Sequence, residues 1–136
     1  MKHCIMREWV KWMQSSNLLL KSQENRDAAD LLESRAWYNA ATSRLYYALY
    51  QMILHILSKN NMTPETGANS HERTILKLAQ SSIIEPAEKN KIIRFSDVRR
   101  ERNRCDYEKN HFMNDVKYGL IKNKFSDAEN VLRNKI

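Results

Sequence analysis

The chain is short of the residues that interrupt regular structure, with two glycines and two prolines in 136 positions. Abundant Leu, Ala, Lys, Glu, Arg, Asn and Ile around so few breakers point to an all-α protein. With Gly67 and Gly119 alone, a glycine-rich phosphate loop is excluded. Cysteine is equally sparse: Cys4 and Cys105 lie far apart in no metal-type spacing and are expected as reduced thiols. No His-x-x-x-His or Cys-x-x-Cys occurs, so neither a structural metal nor a cofactor is expected. Serine-hydrolase motifs are missing as well. No apolar run approaches the roughly 20 residues of a membrane span, and "MKHCIMREWVKWM" lacks the apolar core of a signal peptide. The expectation is a soluble cytoplasmic protein with no membrane partner. Acidic residues are also in deficit, 16 Asp and Glu against 23 Lys and Arg, for a net charge of +7. Such an excess favours an anionic partner, nucleic acid first and an acidic protein second, although it also serves solubility alone.

A chain of 136 residues fits one domain with a real hydrophobic core. We assign a single helical domain over 1–136, with 1–16 as an N-terminal helical extension. The first helical segment runs from about Arg7 to Ser34, with room for a break near "KSQENRD". Trp9, Trp12 and Met13 recur at helical spacing early in it, and Ala28, Ala29, Leu31 and Leu32 later. The next segment, "WYNAATSRLYYALYQMILHILSK", is apolar on nearly every face and belongs at the centre of a bundle. "NNMTPETGANS", with Pro64 and Gly67, is the clearest loop. Asn69 and Glu72 have the spacing of a capping box before a short helix through "HERTILKLA". Pro86 suits the first turn of one helix over "PAEKNKIIRFSDVRRERNRCDYEK". Asn114 and Asp115 open the last, whose apolar stripe is Leu120, Ile121, Phe125, Ala128 and Leu132. No stretch alternates with period two. The expected fold is a single bundle of about five helices.

The densest cluster of ionisable groups is "RERNRCDYEKNH", residues 101–112. Phe95, Arg99, Arg102 and Asp106 share one stripe of its helix, with Asn103 and Tyr107 beside it. Arg102 and Asp106 have the i, i+4 spacing of a salt bridge, worth a few tenths of a kcal/mol on a solvated face. Yet five arginines between Arg94 and Arg104 outnumber one Asp and one Glu, which also suits contact with phosphates. In the central helix Arg44, Tyr47 and Gln51 share a stripe. Tyr46, Tyr47 and Tyr50 read first as packing tyrosines. Arg44, on so apolar a helix, must meet an internal carboxylate or a bound phosphate. His55 falls on the central helix and His71 opens the short third one.

"SRLYYALYQMI", residues 43–53, resembles the "SRAYYA" helix of the HEPN superfamily of small helical-bundle proteins. "RNRCDY", residues 102–107, resembles that superfamily's R-x-x-A-D-Y variant, with Cys105 where Ala is usual. "SHERTILKL" and "ENRDAADLLESRAWYNAATSR" are similar to the third helix and the first helix and turn, so the likeness spans roughly residues 17–134. The resemblance implies a homodimer and, in many relatives, a metal-independent ribonuclease acting as a toxin beside a small nucleotidyltransferase antitoxin, or in defence systems. Other relatives bind nucleotides without catalysis. Those ribonucleases use an Arg, four to six residues, then a His. Arg102 matches the Arg, but Tyr107 stands at the short spacing, while Arg104 and His111 satisfy the longer one. RNA cleavage without metal needs a base for the 2′-hydroxyl, which His supplies near neutral pH and Tyr does not. On this resemblance Arg102 holds the phosphate, Asp106 orients it, Tyr107 donates a hydrogen bond, and His71 or His111 is the base. Arg44, Tyr47, Arg99 and Asn103 complete the expected RNA- or nucleotide-binding surface.

Overall fold

One unbroken helix, α1 (Lys2–Ser34), opens the chain. In this computed structural model the described residues are 2–136, with side chains from Asn17 onward, so the expected face of Trp9, Trp12 and Met13 lies outside the described residues. The break allowed near residue 24 does not occur, because the polar side chains there find partners on the neighbouring helix. Ser22 Oγ donates to the Ala48 carbonyl at 2.6 Å, and Asn25 Nδ2 donates to Gln51 Oε1 at 2.8 Å.

The helix ends in a Schellman turn. Trp37 N–H bonds Leu32 C=O and Ala36 N–H bonds Glu33 C=O, both at 2.9 Å, with Ala36 at φ 57°. An L-residue with a Cβ is strained in that left-handed conformation, which glycine adopts freely. Ala36→Gly should therefore raise stability by about 1 kcal/mol, relief of the left-handed strain outweighing the added freedom of the unfolded chain. A urea midpoint that stays level or falls would contradict this.

α2 (Tyr38–Lys59) returns antiparallel to α1 and is the centre of the bundle, as its apolar sequence requires. Leu45, Leu49, Ile53, Ile56 and Leu57 are all fully enclosed. α2 closes with the same turn, Met62 N–H to Leu57 C=O at 2.9 Å, with Asn61 as the left-handed residue. The loop that follows leads to α3 (Ser70–Gln80), which packs Ile75, Leu78 and Ala79 into the core. The expected capping box at Asn69 and Glu72 does not form. Asn69 is left-handed (φ 54°) rather than extended, so its side chain makes no cap. Arg73 organises the loop instead, donating to the Thr66 carbonyl at 2.9 Å.

The single helix expected from Pro86 to Lys109 is three pieces. A 3₁₀ turn (Pro86–Glu88) leads into α4 (Lys89–Ile93), and after a bend at Arg94 comes α5 (Phe95–Tyr107). At the bend Asp97 N–H reaches the Arg94 carbonyl at 3.0 Å, a three-residue bond in place of the α-helical one. α6 (Asp115–Arg133) starts where Asn114 predicts, its Oδ1 accepting from Lys117 N–H at 2.8 Å. It runs antiparallel to α1, with Lys122 Nζ 2.7 Å from Glu33 Oε1. Ile121, Phe125, Ala128 and Leu132 are buried, joined by Tyr118. Leu120 and Leu31 are not: they are 60% and 59% exposed. Each lies one position off the inward row of its helix, which a count of apolar residues does not reveal. The result is an all-α bundle of five helices of 11 residues or more plus the one-turn α4. Among the described residues no helix is long and apolar enough to cross a membrane.

Candidate functional site

Ser43, Tyr46, Tyr47 and Tyr50 follow one another at helical spacing along α2, and this row meets the Arg99–Arg102–Asp106 row of α5. Helical periodicity alone puts each set on one face. Where the faces meet, Ser43 Oγ donates to Asp106 Oδ1 at 2.7 Å, and Asp106 Oδ2 lies 3.0 Å from Arg102 Nε. Arg102 Nη2 donates to the Tyr47 hydroxyl and Nη1 to Asn103 Oδ1 at 2.9 Å. Three rings surround the guanidinium, with Cζ 5.5 Å from the Tyr46 centroid, 5.0 Å from Tyr47 and 5.8 Å from Tyr107. The structure thus joins Tyr47, from the α2 stripe that sequence spacing gives to Arg44 and Gln51, to the Arg102, Asn103, Asp106 and Tyr107 stripe of α5. Sequence spacing did not single out Ser43, although Ser43 and Tyr47 stand at i, i+4 on the face that reaches α5.

The Arg102 side chain is only 16% exposed. Of the five guanidinium N–H groups, two donate to Tyr47 and Asn103, Nε lies in ion-pair contact with Asp106 without a hydrogen bond, and one N–H on each terminal nitrogen is left for a ligand. Arg99 adds a second positive charge one turn away, and among the described residues it makes no ion pair. Asp106 pairs with Arg102 only and leaves the charge of Arg99 uncompensated. A half-enclosed guanidinium with spare donors and surplus positive charge has the chemistry to take an anion, phosphate above all. Cys105, beside this cluster, is no nucleophile at neutral pH. Burial first, then the charges of Glu101 and Asp106, push its thiol up to about 11.

His71 belongs to the same cluster, but its basic nitrogen is occupied. The ring stacks on Tyr50 with centroids 4.2 Å apart, and Nδ1 bonds the Tyr46 hydroxyl. Tyr46 is fully buried, and desolvation first of all raises its pKa, so the hydroxyl keeps its proton. That proton has Nδ1 as its acceptor, which leaves the Nε2 position of the neutral ring as a donor. Burial, then the charges of Arg99 and Arg102, hold the His71 pKa below the usual imidazole value. The unfolded chain consequently binds more protons than the folded one below about pH 6.5. The stability due to a neutral His71 is complete above that pH and is lost as pH falls from there through the lower folded-state pKa. In urea unfolding at about pH 7.5 and about pH 5.5, wild type should lose more stability on acidification than His71→Gln. Equal losses would count against a depressed His71.

His111 lies elsewhere. α5 stops at Tyr107, and the segment beyond is pinned to α2 by Asn39, whose Nδ2 donates to the His111 carbonyl at 3.0 Å. His111 is buried with Nε2 3.2 Å from Glu101 Oε2, and Glu101 also pairs with Arg104 at 3.3 Å. Arg104 and His111 thus share a carboxylate on the wall of a cavity of about 360 Å³ between α5 and α6, a cavity that Arg102 does not line. Arg44 is likewise apart from the cluster. It is exposed and turned toward α1, donating to Asn25 Oδ1 at 3.0 Å. The expectation that Arg44 must meet an anion is corrected: a side chain that reaches water is satisfied there by a neutral amide. Among the described residues no three His, Cys, Asp or Glu side chains come together as metal ligands.

Fold and site together define an all-helical bundle with a tyrosine-lined arginine between its central helix and α5. Compared with known proteins, the chain matches no family model, and no curated protein matches it significantly.

Proposed function

We propose that this protein is a HEPN-like bundle that binds the phosphates of RNA or of a nucleotide at Arg102. In this reading it is the toxin-like half of a bacterial toxin–antitoxin or defence pair and works in the cytoplasm. One observation carries the proposal: the two stretches that resemble HEPN motifs, residues 43–53 and 102–107, touch through Ser43–Asp106 and Tyr47–Arg102. A homodimer formed along the α5 stripe, and a small nucleotidyltransferase as antitoxin, are the partners the reading implies.

The geometry favours binding over cleavage. Proton abstraction from a 2′-hydroxyl needs a base within hydrogen-bond reach. Tyr107 stands where that base is expected, His71 has its lone pair on Tyr46, and His111 is on the other side of α5. Cleavage is the second reading, because Asp106 holds Arg102 as a charge stabiliser for a phosphorane-like transition state. It requires His71 to leave Tyr46. Purified protein titrated with a short labelled RNA and with ATP, in EDTA, tests both. Salt-dependent binding with the RNA recovered intact is the expected result. Cleaved RNA would move the assignment to a metal-independent ribonuclease, and no binding of either ligand would sink the phosphate site.

A further inference from the structure

We infer that the Arg102 site takes single-stranded rather than duplex nucleic acid, one unpaired base stacking on the outer face of Tyr107. This rests on the phosphate-binding reading above. Tyr107 is 77% exposed, more than any other large hydrophobic or aromatic side chain among the described residues. It is the last residue of α5, so the ring stands at an open helix end where nothing covers it. Its position is nonetheless defined, because the Arg102 guanidinium lies over the ring, 5.8 Å from the centroid. A cation on one face leaves the other as a flat, wet apolar surface of the kind a nucleobase stacks on.

The surrounding charges suit a nucleic-acid strand. Glu108, the next residue, turns its carboxylate to Arg104 at 3.2 Å, and Asp106 is held by Ser43 and Arg102. Neither acid is left uncompensated beside the ring. Lys109 follows, exposed and without an ion pair among the described residues, on the far side of Tyr107 from Arg99 and Arg102 along the chain. Arg102 against the ring, with Arg99 (unpaired among the described residues) one turn back along α5, thus supplies positive charge beside a single stacking platform, as a backbone with one phosphate per nucleotide needs. A base inside a duplex has both faces covered by its neighbours and cannot reach Tyr107, whereas an unpaired one can.

The test uses the whole chain and three labelled probes with equal phosphate counts: an oligo(A) strand, a strand of the same length with abasic residues, and an A·U duplex. Fluorescence anisotropy should show oligo(A) binding about tenfold more tightly than the abasic strand, the typical worth of one stacked base. Tyr107→Leu should bring that ratio close to one, and Tyr107→Trp should keep it. Because the side chain is exposed, a melting curve will verify that both variants fold. A wild-type ratio of one, a ratio undisturbed by Tyr107→Leu, or a duplex bound as tightly as oligo(A) would each overturn the inference while leaving the phosphate site standing. Failure of the wild type to bind any of the three probes would remove both.

Discussion

Arg102→Ala should weaken RNA or nucleotide binding about ten- to a hundredfold and lower stability by about 2 kcal/mol. Both effects follow from one geometry. The guanidinium joins α5 to α2 through Tyr47 and holds Asp106, so its removal leaves Asp106 with Ser43 alone and takes the partner of the Tyr47 hydroxyl from the helix interface. Charge-assisted bonds at a half-buried site are worth about 1.5–3 kcal/mol, but Asp106 is 33% exposed and water recovers part of that. Arg102→Lys separates the roles. It keeps the charge and loses the planar fork, so binding should recover in part while the contacts to Tyr47 and Asn103 do not. Anisotropy and urea unfolding on the same preparations give the two readouts. If stability falls and affinity does not, Arg102 is a strut between helices and the phosphate reading is wrong.

Phe95→Ala should be the most damaging single change near the site, costing about 3–5 kcal/mol. Phe95 is the first residue of α5, fully buried, with its ring stacked on Tyr46 at 5.4 Å. Truncation leaves a cavity directly beneath the tyrosine that lines Arg102 and binds His71. Against a typical domain stability of about 5–15 kcal/mol, the loss approaches unfolding. Phe95→Leu fills most of that volume and should cost under about 1.5 kcal/mol. A Phe95→Ala protein within 1 kcal/mol of wild type, roughly a fivefold shift in the folding equilibrium, would mean that Tyr46 does not depend on this packing.

Much of this fold was legible in the chain because α2 advertises its place. A segment apolar on all sides has to be surrounded, and no other helix here has that character. The loop after it was visible through Pro64 and Gly67, and the Arg102–Asp106 pair through its spacing. What stayed hidden depended on facts that spacing does not hold. Leu31 and Leu120 read as inward because apolar residues were counted, whereas the helix buries the row one position away. Arg44 seemed trapped on an apolar helix, but a long side chain on a helix edge escapes to water. His111 was expected as a base because it stands at the longer Arg-to-His spacing from Arg104. The end of α5 at Tyr107 then sends the chain to Asn39, where His111 meets Glu101. Nor does the chain signal that Ala36 takes the left-handed position, since alanine is a helix former that the turn merely tolerates.

The two halves of the bundle close under different entropic demands. α1 and α2 are joined by three residues, 35–37, so their pairing restrains little more chain than it orders. The bonds that assemble the site, Tyr47–Arg102 and Ser43–Asp106, span 55 and 63 positions. On the logarithmic dependence of loop closure, tethering that length costs about 2–3 kcal/mol more than tethering three residues. The hairpin is therefore the inexpensive part of the structure and the site the part that must gather distant chain. Any ligand that touches both Tyr47 and Arg102 does some of that gathering. Its binding energy holds α5 against α2, and occupancy of the site and closure of the bundle become one equilibrium.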